Sequence, residues 1–181
     1  MSRIQPIAVE TASPETQTLL AGVKAKFGMT PNMMATMGQS PAVLEAYLSF
    51  AGALAKGVLS ARLREQIALA VGQANGCEYC LSAHSAGGKR VGLRAEEMVE
   101  NRRGMAGDSK TAVVLRFAQD LVIQRGEVDD AALRKLREAG YTETEIVEIV
   151  ANVAVNIFTN YFNLVAQTEV DFPRVSPALA A

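Results

Sequence analysis

The stretch E-Q-I-A-L-A-V-G-Q-A-N-G-C-E-Y-C-L-S-A-H, residues 65–84, decides how the chain is read. Its first half, opened by Ser60 as a helix cap, carries Ile67, Ala68, Leu69, Ala70 and Val71 in succession. That helix is apolar on most sides, which predicts a central, buried position. Asn75-Gly76 breaks it. A second helix starts near Cys77 and runs to about Arg90. The same stretch holds both cysteines of the chain and its one histidine, His84. It also sets an acid, Glu65, at the head of the apolar run.

Working outward, the same punctuation recurs. Towards the N-terminus, residues 1–12 read as an extended arm. Ser13-Pro14-Glu15 has the cap, the N1 proline and the first-turn acid of a helix start, and that helix stops at Gly28. Thr30-Pro31 opens a short helix with Met33, Met34 and Met37. Ser40-Pro41 opens another, through about Ala55. Towards the C-terminus, Leu93 to Glu100 reads as a short acidic helix and Asn101 to Gly107 as a loop. Asp108-Ser109 caps a helix to about Gln124. Asp129 begins a short helix closed by Gly140. Thr142-x-x-Glu145 is a capping box that opens a long helix through about Val170, after which residues 171–181 form a tail. Short alternating runs all fit helices better than strands. The expected fold is all-α, a compact bundle of roughly seven to nine helices in a single domain spanning residues 1–181.

Composition narrows the function classes. The chain has 181 residues, a net charge of −1 and 49% hydrophobic content. No basic excess points to nucleic acid or to an anionic membrane. The longest apolar stretch, Ile146 to Phe158, is interrupted by Glu148, Asn152 and Asn156, so it does not read as a membrane span. The start M-S-R-I-Q-P-I lacks the apolar run of a signal peptide. A cytoplasmic setting is therefore expected, where two cysteines suit a reactive pair better than a permanent staple.

The spacing of the chemistry-bearing residues is specific. Cys77 and Cys80, three apart, fall one helical turn from each other, near enough to close a disulfide. His84, four beyond Cys80, shares that face and can accept a thiol proton. A thiolate at Cys77 gains from the free N–H groups and dipole of the helix start. Across the Asn75-Gly76 turn, Glu65 can orient His84 and receive its proton. Zinc is disfavoured because only His84 and a carboxylate could complete a half-site built on one C-x-x-C; no metal and no cofactor are expected. Asn152, Asn156, Asn160 and Asn163 follow helical spacing and read as a buried hydrogen-bonded seam, with a polar cleft lining as the alternative. The Met29, Met33, Met34 and Met37 cluster reads as plastic packing, with a hydrophobic substrate or subunit contact as the alternative. The pairs Lys89-Arg90 and Arg102-Arg103 read as solvated charges.

Glu65, then Cys77-Glu78-Tyr79-Cys80 twelve residues on, then His84, resembles the signature of the alkylhydroperoxidase D-like (AhpD-like) or carboxymuconolactone decarboxylase family, in its peroxidase-related branch. The resemblance extends over E-Q-I-A-L-A-V-G-Q-A-N and over the C-terminal N-I-F-T-N-Y-F-N-L-V-A-Q-T-E-V-D-F-P, residues 156–173. It implies a thiol-dependent peroxidase: Cys80 as the peroxidatic cysteine, Cys77 as the resolving one, and Glu65 with His84 as the proton relay. It further implies a hydroperoxide substrate, a dithiol reductant such as a lipoyl-bearing protein, and a homo-oligomer, commonly a trimer or hexamer. One departure stands at Tyr79, where the best-studied peroxidases of the family carry a second histidine. Two other readings remain open: a lyase using His84 and Glu65 on a carboxylated lactone-like substrate, and a non-enzymatic redox-sensing protein.

Overall fold

The computed structural model describes residues 1–179 of the chain. Among them are nine α-helices and no strand: α1 Pro14–Phe27, α2 Asn32–Met37, α3 Pro41–Leu54, α4 Ala61–Ala74, α5 Glu78–Arg90, α6 Ala95–Arg102, α7 Ser109–Ile123, α8 Asp130–Glu138 and α9 Glu143–Ala166. The expected all-α class holds. Most starts lie where capping chemistry places them. Ser13, Ser40, Ser60, Asp108, Asp129 and Thr142 each accept a backbone N–H of the following first turn, a contribution of about 1 kcal/mol per cap.

Helix α4 occupies the centre and packs against α5, α6, α7 and α9. Its buried run, Gln66 to Gly72, is continuous, because different faces serve different cores. Ile67, Ala70 and Val71, at i, i+3 and i+4, join Val114, Leu115, Phe117, Ala118, Leu136, Ile149 and Val153 in one cluster. Leu69, on another face, meets Leu81, Leu93 and Met98. A third cluster joins Leu20, Val23, Met33, Met34, Met37 and Leu44 to Cys77, Tyr79 and Cys80. The cysteines thus lie in the wall of an apolar core. Linker contacts fix α4 further: the Glu148 carboxylate of α9 accepts the N–H groups of Val58 and Leu59 just ahead of it, at 2.9 to 3.1 Å.

Four local expectations are corrected. The N-terminal arm contains a single 3-10 turn, Val9–Thr11. Helix α6 reaches Arg102, so Asn101 is helical; its side chain is buried and donates to the Met105 carbonyl at 3.1 Å. Arg102 is buried rather than solvated. Its guanidinium donates to Gln73 Oε1 at 2.8 Å and to the Ser176 carbonyl at 2.6 Å. Helix α9 ends at Ala166 rather than near Val170, with Gln167 in the left-handed region at φ 47°. Tertiary bonds draw the chain out of the helix there. Asp171 accepts the Asn32 N–H at 2.7 Å, and the Glu169 carbonyl accepts from the Asn32 amide at 3.0 Å. The tail then docks on the bundle, with Val175 N–H donating to Ser82 Oγ at 3.0 Å and Gln73 donating to the Pro177 carbonyl at 2.9 Å. Its last two residues, 180 and 181, lie outside the described part.

Helix α9 is long and apolar enough to cross a membrane by length and composition, yet Ile146, Ile149, Val153, Val155 and its four asparagines face the protein interior. Because Ile67 is fully buried where α4 meets α7 and α9, Ile67→Ala is expected to cost about 2–5 kcal/mol of stability. Urea unfolding measures this, and a loss below about 1 kcal/mol would contradict close packing around α4.

Candidate active site

The α4–α5 connection builds the site. Gly76 sits at φ 65°, a conformation other residues adopt with strain. Gly76 N–H bonds to the Gln73 carbonyl and Cys77 N–H to the Gly72 carbonyl, so α4 is closed off tightly and α5 folds back along it. Cys77 is not within α5, as a strict helical reading of the spacing would have it, but is its N-cap. Its Sγ accepts the N–H of Cys80 at 3.2 Å, where serine or aspartate would ordinarily sit. The extended backbone at Cys77 sets the two Cα atoms 5.3 Å apart, and the sulfurs are joined as a disulfide. Both cysteines are nearly inaccessible, at 1% and 3% exposure.

One turn further along α5, His84 Nδ1 lies 2.9 Å from Glu65 Oε2 of α4. Each side chain keeps about a quarter to a third of its surface in solvent. A carboxylate only accepts hydrogen bonds, so the proton resides on Nδ1 and Nε2 is left free to accept. Gly87 makes room for this pair: a Cβ there would meet the Glu65 carboxylate at 2.7 to 2.8 Å. The small residue three beyond His84 therefore decides where the acid can stand.

Cys80, His84 and Glu65 line one cavity of about 160 Å³, whose other walls include Phe27, Pro31, Met33, Met34, Tyr47, Tyr79, Thr159, Asn163 and Phe172. Glu65 and His84 also line a neighbouring cavity with Arg64, Asn152, Asn156 and Thr159. The acid–imidazole pair thus stands between the sulfur and a second polar space. Cys77 faces away from the shared cavity, into a cleft lined by Glu78, Leu164, Gln167 and Thr168. Of the four residues singled out from the sequence, three meet in one cavity, and the fourth reaches it through the disulfide. Among the described residues no group of three or more His, Cys, Asp or Glu side chains is placed to hold a metal ion.

Three further residues belong to the site. Tyr47, in α3, has its phenol pushed up to about 12, by burial first and by the Glu65 carboxylate second. It stays neutral and can donate. Tyr79 is buried against Phe172, edge to face at a centroid distance of 5.8 Å, and accepts the Met33 N–H at 3.2 Å. Burial, chiefly, raises its phenol far above the ordinary value, with the Asp171 charge adding to the rise. Tyr79 thus ties α5 to α2 as a neutral phenol. Asn163, on α9, donates from Nδ2 to Cys80 Sγ at 3.4 Å and to Met33 Sδ at 3.2 Å. Its sequence signal was the asparagine stripe, but spacing alone did not separate it from Asn152 and Asn156. Those two donate within α9, to the Glu148 and Asn152 carbonyls.

Two outcomes follow. Gly87→Ala is expected to preserve stability, since the displaced group is the end of a flexible side chain, while breaking the Glu65–His84 contact; Cys80 oxidation by peroxide should slow at least tenfold, within the range of a general-base contribution. Stopped-flow thiol loss alongside thermal unfolding measures both, and an unchanged rate would contradict the spatial role given to Gly87. Tyr79→Phe leaves the buried Met33 N–H without its partner and should cost about 1–3 kcal/mol. Disulfide formation should nonetheless survive. Loss of oxidation at unchanged stability would show the phenol taking part in the chemistry.

Comparison with known proteins fits this geometry. Residues 41–120, from the start of α3 into α7, match the model of the carboxymuconolactone decarboxylase family. An uncharacterised protein of Haemophilus influenzae is 50% identical over 48 residues, covering 26% of this chain and 42% of that relative, so the match spans less than half of the relative's length. Two crystal structures share the whole fold. One, from Ralstonia eutropha, is described as an alkylhydroperoxidase AhpD core and an uncharacterised peroxidase-related protein; it has a TM-score of 0.83 at 25% identity, covering 94% of this chain and 92% of that one. The other, an uncharacterised peroxidase-related protein from Silicibacter, has a TM-score of 0.80 at 26% identity over 92% and 91% of the two chains. The family model covers both helices of the cysteine hairpin and the fold likeness covers nearly the whole chain: this protein is similar to the carboxymuconolactone decarboxylase family over residues 41–120 and to AhpD-like, peroxidase-related proteins in its whole fold.

Proposed function

We propose that the protein is a thiol-dependent peroxidase, a disulfide oxidoreductase that reduces hydroperoxides through Cys77 and Cys80 with Glu65 and His84 as proton relay. The observation that carries this reading is the single cavity holding Cys80, already linked to Cys77, beside a His84 held by Glu65.

In the reduced protein His84 Nε2 takes the Cys80 proton, and Glu65 stabilises the imidazolium. The thiolate attacks the distal peroxide oxygen. A sulfur–oxygen bond forms, the oxygen–oxygen bond breaks, and the alkoxide leaves with the proton from His84. Cys77 then attacks the sulfenic acid, water departs and the disulfide forms. An external dithiol, for instance a lipoyl group, reopens it by two successive exchanges and is itself oxidised to a disulfide. The apolar wall of Phe27, Met33, Met34 and Phe172 suits an organic hydroperoxide. A cytoplasmic setting fits a cycle that ends on a small dithiol. Self-association belongs to the same proposal; its support is the outward stripe of Val147, Val150, Phe158, Tyr161 and Val165 on α9.

Mass spectrometry of thiol state tests the reading. Reduced wild type treated with one equivalent of hydroperoxide is expected to lose two hydrogens and both free thiols, and dihydrolipoamide should restore them for a second round. Cys80→Ser should keep its Cys77 thiol. If wild-type thiols survive peroxide as well as those of Cys80→Ser, the peroxidase reading fails. Activity on a carboxylated lactone that persists in both Cys→Ser variants would point instead to a lyase run by His84 and Glu65. Disulfide formation without turnover on any dithiol would point to a sensor.

A further inference from the structure

Of the four asparagines on α9, Asn163 stands apart. Its two amide hydrogens are directed at two sulfurs, those of Cys80 at 3.4 Å and Met33 at 3.2 Å. This fixes the amide's orientation, because the reverse one would set the carbonyl oxygen against two electron-rich sulfur atoms. The Oδ1 atom is then left buried with no hydrogen-bond partner in the protein, on a residue only 4% exposed. A buried carbonyl in that condition is costly and calls for a partner from elsewhere. Asn163 lines the cavity of Cys80 and His84. Its two amide heteroatoms are closer together than a hydrogen bond is long, so a small group held at Oδ1 lies beside the nitrogen that holds Cys80 Sγ.

We propose that Asn163 is a catalytic residue that grips the Cys80 sulfur with its NH2 group and the substrate hydroperoxide with its carbonyl. This deepens the peroxidase reading and rests on it. Nδ2 donates to the Cys80 thiolate, adding a charge-assisted bond that the neutral thiol lacks. Oδ1 accepts the O–H of the hydroperoxide and so sets the distal oxygen, which bears that hydrogen, against the sulfur. As the sulfur–oxygen bond forms and the oxygen–oxygen bond breaks, the distal oxygen keeps its hydrogen. The departing alkoxide takes the proton held by His84. The product S–O–H still donates to Oδ1. Only when Cys77 displaces the hydroxyl as water, and the disulfide closes, does Oδ1 lose its partner. The disulfide state with an orphaned Oδ1 is the state seen here. The contact selects for substrates with a donor on the reacting oxygen: hydroperoxides rather than dialkyl peroxides.

The two halves of the proposal separate in two near-isosteric variants, Asn163→Leu, which has neither group, and Asn163→Asp, which keeps the acceptor and loses the donor. Both are made in a Cys77→Ser background, where Cys80 is the only thiol, and both are checked for an intact helical circular dichroism spectrum. The pH profile of iodoacetamide alkylation reads the sulfur contact without any peroxide. Its midpoint should rise in both variants, with about tenfold less thiolate at neutral pH. Above that midpoint, where Cys80 is fully ionised, the ratio of cumene hydroperoxide rate to iodoacetamide rate reads the oxygen contact. That ratio should fall about tenfold in Asn163→Leu and fall less in Asn163→Asp. Unchanged midpoints overturn the sulfur contact, and an unchanged ratio in Asn163→Leu overturns the substrate contact. If Asn163→Leu does not fold, Asn163→Ala, which also lacks both groups and adds no charge beside the thiolate, decides both points. A Cys80 inert to hydroperoxide before any change at Asn163 sinks the peroxidase reading itself, and the substrate contact with it; a reactive Cys80 with unchanged variants sinks only the role of Asn163.

Discussion

The structure depends on one constraint: a helix buried on nearly every side must still present a carboxylate. Helix α4 is the hub against which α5, α6, α7 and α9 pack, and Gln66 to Gly72 are all buried. Glu65 stands at the edge of that run, where the hub opens into two cavities. A carboxylate in such a place needs a partner. The tight turn at Gly76 supplies one by folding α5 back so that His84 meets it at 2.9 Å. The same turn makes Cys77 an N-cap and sets Cys80 one turn before His84. Packing, turn geometry and acid–base pairing are thus set by a single α-hairpin.

Around that hairpin, most side chains that carry polar groups into the apolar core are tied by at least one hydrogen bond. Asn152 and Asn156 bond back to their own helix, and Asn160 accepts from Asn75 at 2.9 Å. Tyr79 is tied to the Met33 N–H and Asp171 to the Asn32 N–H. Each of these fastens the α2 or α5 start to its surroundings and so holds the cavity wall in place. Asn160 Nδ2 and Asp171 Oδ1 are also buried without a protein partner, but Asn163 differs in that its amide nitrogen is turned to sulfur and its carbonyl is the half left over.

The fold was legible because its punctuation is local. Ser13-Pro14, Ser40-Pro41, Ser60, Asp108, Asp129 and Thr142-x-x-Glu145 announce helix starts through bonds made within four residues. The Glu65, Cys77, Cys80 and His84 set was legible for a related reason: a two-helix hairpin turns sequence spacing into spatial spacing. What was not legible depends on distant segments. The end of α9 is set by Asn32, more than a hundred residues away, which draws Glu169 and Asp171 out of the helix. Arg102 looks like half of a surface pair until Gln73 and the tail cover it. Gly87 has no signal as the space that admits Glu65. Asn163 differs from its neighbours in the stripe only because α2 and α5 bring sulfurs to it. Tyr79, read from the sequence as a departure from the resembled motif, is a clamp once Met33 and Asp171 are seen beside it.

The central claim is that the sulfur beside the Glu65–His84 pair is the one that meets the peroxide. The most direct measurement is to trap the intermediate. Cys77→Ser protein, reduced and then exposed to stoichiometric hydroperoxide in the presence of dimedone, is digested and mapped by tandem mass spectrometry. The account predicts a dimedone-labelled sulfenic acid on Cys80, formed far more slowly when Glu65→Gln is added. No label on Cys80, or equal labelling of Cys77 in the matching Cys80→Ser protein, would contradict it.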